Sequence, residues 1–172
     1  MVAPRIAPIT TDLDENEHCK EVYAHAGLAL YFAQVLEHGV VNAMLFARMP
    51  EYEKVTRAEL DAFLAKQFEK TLGAMLKAMR RYVTVPPDVE KLLNEALRKR
   101  NRLTHEFFRE FAEHFMNAKG RDEMLAWLQD AESMFQRANT ELKSLTTQIR
   151  EKYGITEEAI AKEMAKVPTD LK

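Results

Sequence analysis

A heptad pattern of apolar residues between positions 122 and 153 constrains this chain more than any other feature. Apolar residues recur there at alternating steps of four and three: Met124, Leu128, Ala131, Phe135, Ala138, Leu142, Leu145 and Ile149. Such a seam keeps one stripe of a helix against a partner helix along its whole length. We therefore predict a helix from Asp122 to Tyr153, ended by Gly154, that packs parallel or antiparallel to its partner.

A first helix is predicted from Asp12 to Arg48, and its apolar positions wrap most of the circumference, which is typical of the central helix of a bundle. Its most apolar stretch, residues 26–47, is interrupted by four polar residues. These are Gln34, Glu37, His38 and Asn42. A membrane span needs roughly 20 nearly uninterrupted apolar residues. We therefore predict a buried helix and no membrane contact.

A second helix is predicted from a capping box at Thr56 to Tyr82, with Gly73 in its middle indicating close approach by a neighbour. A third opens at Pro87. It either continues to Met116 or breaks near Asn101.

Two smaller sequence signals complete this pattern. If the third helix breaks, Thr104 would cap the helix that follows. The segment 117–120 is predicted as a helix stop, with Gly120 in the left-handed conformation. After Gly154, Thr156 is predicted to cap a short tail helix.

These elements predict an all-α fold, an up-and-down bundle of four long helices plus a short C-terminal helix. It would form one domain over residues 12–167, after a flexible arm of residues 1–11. The 172 residues are 47% apolar, which suits a full core and excludes a disordered chain. The formal net charge of −2 excludes an overall basic protein, and the lone Cys19 excludes a disulfide framework. A reducing, cytoplasmic location is expected.

Metal and cofactor chemistry find little support in the sequence. His105 and Glu106 begin like a zinc-protease motif, but Arg109 stands where the second His is required. A di-iron bundle needs Glu-x-x-His on two helices, and only the start of the first helix offers that spacing, from Glu15 to His18. We therefore expect no metal and no cofactor.

One segment, Arg98 to Arg109, concentrates five cationic residues and one histidine in a slightly acidic chain. Arg100 stands where the stripe of the third helix requires an apolar residue. Arginine can hold a phosphate through two parallel hydrogen bonds, and histidine can move a proton near neutral pH. Together, Arg100 and His105 could cleave RNA without a metal.

The geometry of a straight helix separates these two groups. Arg100 and His105 would differ by about 140° in direction and roughly 7.5 Å in rise. They converge only if the helix breaks near Asn101, if the Arg100 side chain reaches around the helix, or if a second chain contributes. The structural alternative is that Arg100 pairs with a bundle carboxylate such as Glu37 and His105 is half exposed.

The residues Arg100-Asn101 followed by His105 resemble the Arg-x4–6-His signature of HEPN-type helical domains, in which Asn often follows the Arg. The resemblance implies a small α-bundle that forms a homodimer. It also implies a metal-independent ribonuclease, or an RNA-binding protein, of a toxin or defence system. In that family the Arg and His of both protomers line a cleft at the dimer interface.

Under this hypothesis Arg100 binds the scissile phosphate, His105 is the acid/base and Asn101 orients it. The supporting residues are Glu37, Gln34 and Arg109, and the RNA-binding residues are Arg98, Lys99 and Arg102. The net acidic charge departs from the basic face that such toxins often carry.

A second hypothesis is a non-catalytic helical interaction module, such as an immunity, antitoxin or adaptor protein. The heptad seam and the acidic charge balance favour it, and it predicts a protein partner and no turnover of RNA. A buried Arg100–Glu37 pair would favour this hypothesis, whereas an open basic cleft at a two-fold axis would favour catalysis.

Overall fold

A computed structural model describes residues 15–48, 57–156 and 158 of the chain. Among these residues there is no strand, and the predicted all-helical class is confirmed. The helices are α1 (Glu15–Arg48), α2 (Arg57–Phe68), α3 (Leu72–Met79), α4 (Pro87–His105), α5 (Phe107–Glu110) and α6 (Ala118–Lys152), with a 3-10 turn at His114–Met116. The predicted arm of residues 1–11, the cap at Thr56 and, apart from Glu158, the tail helix after Thr156 lie outside the described residues.

Helices α1 and α6 form the centre of the fold and run parallel to each other. Their contacts follow the same order along both helices: His18 with Asp122, His25 with Glu132, Phe32 with Asn139 and Gly39 with Leu142. The seam residues from Met124 to Leu145 are buried, and Ile149 packs at the edge of the core. The predicted seam is therefore confirmed, and its partner is α1.

Small residues on α1 let these two long helices approach closely. Ala26, Ala29 and Ala33 are each at most 5% exposed. At Gly39, an added Cβ would lie 3.0 Å from the side chain of Leu142. The small residues of α1 thus leave room for the larger side chains of α6, and the two helices pack at the density typical of protein interiors.

Helix α4 packs against α6 in the opposite direction. Near its start, Asp88 lines a groove together with Thr140, whereas near its end Lys99 lies 2.6 Å from Asp130. The start of α4 fits the prediction, because Pro87 occupies the first turn, where its missing N–H costs nothing. Three helices, α1, α4 and α6, thus run up, down and up.

The predicted second helix is divided into α2 and α3. The division follows from Thr71, whose hydroxyl accepts a 3.3 Å hydrogen bond from the N–H of Ala74 and caps α3. Close approach at Gly73 is confirmed, since an added Cβ would meet Leu97 at 3.4 Å. The predicted arrangement of four long helices plus a short C-terminal helix is therefore not confirmed.

Helix α4 passes unbroken through Asn101 and ends at His105. The hydroxyl of Thr104 donates back to the carbonyl of Arg100 at 3.0 Å, so Thr104 does not cap a new helix. The break comes at Glu106, where φ is −127° and the chain turns. This turn places Phe107, which is fully buried, in the core.

The prediction for residues 117–120 was wrong. Asn117 begins a helix rather than ending one, because its side chain accepts a 2.9 Å hydrogen bond from the N–H of Gly120. Gly120 lies inside the first turn of α6 and lacks a positive φ. Its lack of a side chain serves packing, since an added Cβ would lie 2.1 Å from the carbonyl oxygen of His114.

Helix α1 is long and apolar enough to cross a membrane by composition alone. In the structure, 39% of its most apolar 18-residue window is buried inside the bundle. One such helix is weak evidence for a membrane protein, because the core helix of a soluble bundle has the same properties. The expected cytoplasmic location stays a prediction.

We expect Gly120→Ala to lower the free energy of unfolding by at least about 2 kcal/mol, because the new methyl would overlap backbone that cannot move aside. Gly27→Ala is the matched control, since nothing lies within 4 Å of an added Cβ there. It should leave stability equal or raise it by about 1 kcal/mol, the helix preference of Ala over Gly. Urea unfolding of both variants measures the difference, and equal midpoints would contradict the packing described at Gly120.

Candidate functional site

The candidate site begins with Arg100, a cation on the buried side of α4. The residues one turn before and after it on that side, Ala96 and Leu103, are 0% and 6% exposed. The apolar stripe therefore turns Arg100 inward. Its Nη2 lies 2.9 Å from Oε1 of Glu37 on α1, with the two side chains 23% and 20% exposed. The predicted Arg100–Glu37 pair is confirmed, at the edge of the core rather than sealed within it.

Asn101 joins this pair from the exposed surface of α4. Its side-chain oxygen accepts a long hydrogen bond, 3.4 Å, from Nη1 of Arg100. A guanidinium carries five N–H donors. Among the described residues, the Arg100 side chain has two partners: an ion pair with Glu37 and the hydrogen bond to Asn101. The five N–H groups therefore exceed these partners, and the Arg100 side chain is 23% exposed.

His105 is the exposed last residue of α4. Within the described part of the chain, its ring has no hydrogen bond or ion pair. Because α4 is unbroken between the two residues, His105 and Arg100 keep the separation of a straight helix, about 140° in direction and roughly 7.5 Å in rise. The Arg100 side chain extends to Glu37 instead of turning toward His105. One copy of the chain therefore does not bring the two groups together.

Gln34 lies on the exposed side of α1, one turn before His38. Neither residue joins the Arg100–Glu37 pair. His38 instead packs against the ring of Phe68, with centroids 4.6 Å apart. The supporting role predicted for Gln34 therefore has no direct contact within the described residues.

The five cations of the segment 98–109 fall into two groups. Three are compensated by carboxylates: Lys99 by Asp130 at 2.6 Å, Arg100 by Glu37 and Arg102 by Glu110 at 2.6 Å. Lys99 and Arg102 also lie over the ring of Trp127, at 4.5 and 5.3 Å from its centroid. They thus hold α4 against α6.

Arg98 and Arg109 make up the other group. Both are exposed, and neither has an ion pair among the residues that the structure describes. Arg98 precedes His105 by two helical turns, so the two share the outer face of α4. The uncompensated positive charge of the segment is therefore smaller than the sequence suggests, and it lies on the side of His105.

Metal ligands are not gathered anywhere in residues 15–48 and 57–156, where no group of three or more His, Cys, Asp or Glu side chains could hold an ion. Cys19 is partly buried and unpaired. A groove of about 670 Å³ lies at the far end of α4, between Val89 and Arg137. A smaller groove of about 250 Å³ is lined by Arg98, Lys99 and Arg102, and His105 itself is exposed to solvent.

Two features of the site region were missed from the sequence. The first is Trp127, whose ring contacts Lys99 and Arg102. Its position next to the heptad seam was a signal that it would contact another helix. Phe108 packs on Tyr23 of α1, with ring centroids 5.7 Å apart. No local pattern signals this contact, because it depends on the turn at Glu106.

Comparison of the chain with protein-family models, with curated proteins and with solved structures finds no match. The resemblance to HEPN-type domains rests on the residues Arg100, Asn101 and His105.

We expect a double-mutant cycle on Arg100→Gln and Glu37→Gln to give a coupling energy of about 1–2 kcal/mol, because the pair is partly shielded from water. The exposed pair Arg102–Glu110, with side chains 44% and 36% exposed, is the matched control. Its coupling should stay below about 1 kcal/mol. Chemical unfolding of seven proteins, the shared wild type, four single variants and two double variants, measures both values. Equal coupling energies would contradict the conclusion that the Arg100–Glu37 pair is better shielded from water than the Arg102–Glu110 pair.

Proposed function

We propose that the chain is a metal-independent endoribonuclease of the HEPN-like type that acts as a homodimer. The main support for this proposal is the arrangement of two side chains at the end of α4. There an exposed His105 without an intramolecular partner follows an arginine that Glu37 holds in place with several donors unused. An imidazole can move the proton and a guanidinium can stabilise the growing phosphate charge in RNA cleavage without a metal.

The reaction would be an internal transfer at phosphorus. The imidazole of His105 takes the proton of a 2′-hydroxyl, and that oxygen forms a bond to phosphorus. The bond from phosphorus to the 5′-oxygen breaks, and the same His105, now protonated, returns its proton to that oxygen. The Arg100 guanidinium offsets the charge that grows on the phosphate oxygens. Glu37 is a positioning residue, because it fixes the guanidinium without touching the substrate.

In the proposed dimer, a second copy of the chain brings a histidine close to Arg100, which a single copy does not do. Since α4 keeps Arg100 and His105 on different faces, the proposed site combines Arg100 of one protomer with the histidine of another. The exposed side of α1 next to Glu37 suits such a contact. Residues 22–36 contain no Asp, Glu, Lys or Arg, and Leu28, Tyr31 and Val35 are exposed there. A symmetric contact of this surface would bury no unpaired charge.

The RNA chain would lie along the outer face of α4. Arg98 and Arg109 provide the uncompensated charge for its phosphates. Lys99 and Arg102 are committed to Asp130, Glu110 and Trp127, so their proposed part in binding RNA is smaller than that of the other two. We propose in addition that this ribonuclease acts in a toxin or defence system.

We expect RNA cleavage to persist in EDTA and to fall at least about 100-fold in His105→Ala and in Arg100→Ala. His114→Gln is the matched control, because His114 is also partly exposed but pairs with Glu123 at 3.3 Å. Glu37→Gln should retain part of the activity, since the guanidinium remains. Gel assays on several single-stranded RNAs with folded variants measure this. Cleavage unchanged in His105→Ala would refute the assigned role.

We expect an equimolar mixture of His105→Ala and Arg100→Ala, unfolded and refolded together, to recover activity that neither variant has alone. About half of the randomly paired dimers would be mixed and each would hold one intact site of two, so recovery would approach about a quarter of the wild-type rate. The same mixture without joint refolding is the control. A dimer by light scattering whose mixture stays inactive would contradict a shared site.

A second candidate function is the non-catalytic interaction module, with a protein partner in place of RNA. The specific observation in its favour is that Glu37 already neutralises Arg100, as a purely structural arginine requires. A folded wild-type chain that cleaves none of the RNAs tested would favour this function over the first. The uncharged side of α1 would then be the surface on which to seek the partner.

A further inference from the structure

An exposed group of aromatic rings lies next to the end of α4. Tyr23 on α1 contacts Phe108 with ring centroids 5.7 Å apart and Phe115 with centroids 5.4 Å apart. Tyr23 is 57% exposed and Phe108 is 45% exposed. We call Tyr23 and Phe108 the aromatic platform. Rings this exposed leave a large part of their faces available to a ligand.

The platform is not required by the core that lies beneath it. Phe107, the preceding residue, is fully buried and fills the interior, with Trp127 4.9 Å from its ring. Phe108 covers only one edge of this interior: its ring meets that of Phe107 edge-on at 5.1 Å between centroids, and it is 45% exposed. Large aromatic residues in such positions are typical of surfaces that bind a partner.

The surroundings of the platform indicate an anionic ligand with flat rings. Phe108 follows His105 by three residues and directly precedes Arg109, an exposed arginine without an ion pair among the described residues. A ring for stacking beside a free cation for a phosphate is the combination that binds single-stranded nucleic acid. A protein partner with an acidic apolar surface would use the cation but would not require flat ring faces.

We infer that Tyr23 and Phe108 form a stacking subsite for an unpaired RNA base next to the nucleotide processed at His105. The inference rests on the proposed function and narrows its substrate to single-stranded RNA. A base inside a duplex has both faces covered by its neighbours and cannot reach these rings. The subsite would also hold the substrate in register, since a stacked base fixes the position of the adjacent phosphate.

We expect Tyr23→Leu and Phe108→Leu each to weaken the binding of a labelled single-stranded RNA about tenfold, because leucine keeps the apolar volume but removes the stacking face. Binding is measured by fluorescence anisotropy with the full chain carrying His105→Ala, so that the RNA stays intact. Tyr153→Leu is the matched control. Tyr153 is an exposed tyrosine, 41% accessible, at the opposite end of α6. A duplex of the same sequence should bind all four proteins equally.

The outcomes separate this inference from the proposed function. Weaker binding in both platform variants supports the subsite even if the wild-type chain cleaves no RNA. Wild-type cleavage with unchanged Kd and KM in the platform variants refutes the subsite and leaves the ribonuclease standing. An equal loss with the duplex, or an equal loss in Tyr153→Leu, also refutes it. Conversion of the dimer to a monomer by Tyr23→Leu, with RNA binding unchanged, would assign the rings to the contact between copies instead.

Discussion

The packing of α1 on α6 is the constraint on which the rest of the structure depends. The two helices run parallel, which means that the chain must return from the end of one to the start of the other. Helices α2 to α5 make that return, and α4 is the longest part of it. Because α4 runs antiparallel to both long helices, its end lies near the start of α6 and the first half of α1. The positions of Arg100, His105 and Phe108 all follow from this return.

Arg100 shows how one position can serve both stability and chemistry. It lies on a stripe that is otherwise apolar, so its guanidinium must meet a partner at the edge of the core, and Glu37 supplies it. The pair links α4 to α1 and sets the direction in which the guanidinium extends. A charged group that is fixed in advance needs no reorganisation when a phosphate arrives, which is the condition under which electrostatic stabilisation of a reaction is largest. The structural and the catalytic interpretations of Arg100 are therefore compatible.

Cation content alone proved a poor guide to the surface of α4. The sequence places five cations within twelve residues, yet carboxylates from α1, α5 and α6 compensate three of them. Only Glu37 was anticipated from the sequence, whereas Asp130 lies on another helix and no local pattern links it to Lys99. What remains is a small positive surface around Arg98 and Arg109, next to an aromatic platform. A few directed contacts, rather than a broad basic face, would then bind an RNA strand.

The sequence by itself determined the helical class, the seam of α6 and the proline start of α4, because each depends on residues within a few turns of one another. It offered the pairing of Arg100 with a carboxylate such as Glu37 as one of several alternatives, and the structure shows that pair. It did not determine the division of the second helix, the break at Glu106 or the role of Asn117, since capping groups compete locally and packing decides between them. Only the tertiary structure decided that α1 and α6 are parallel, that Lys99 and Arg102 are neutralised, and that Phe108 meets Tyr23. Those facts depend on residues that are distant in the chain and become neighbours only when the core is buried.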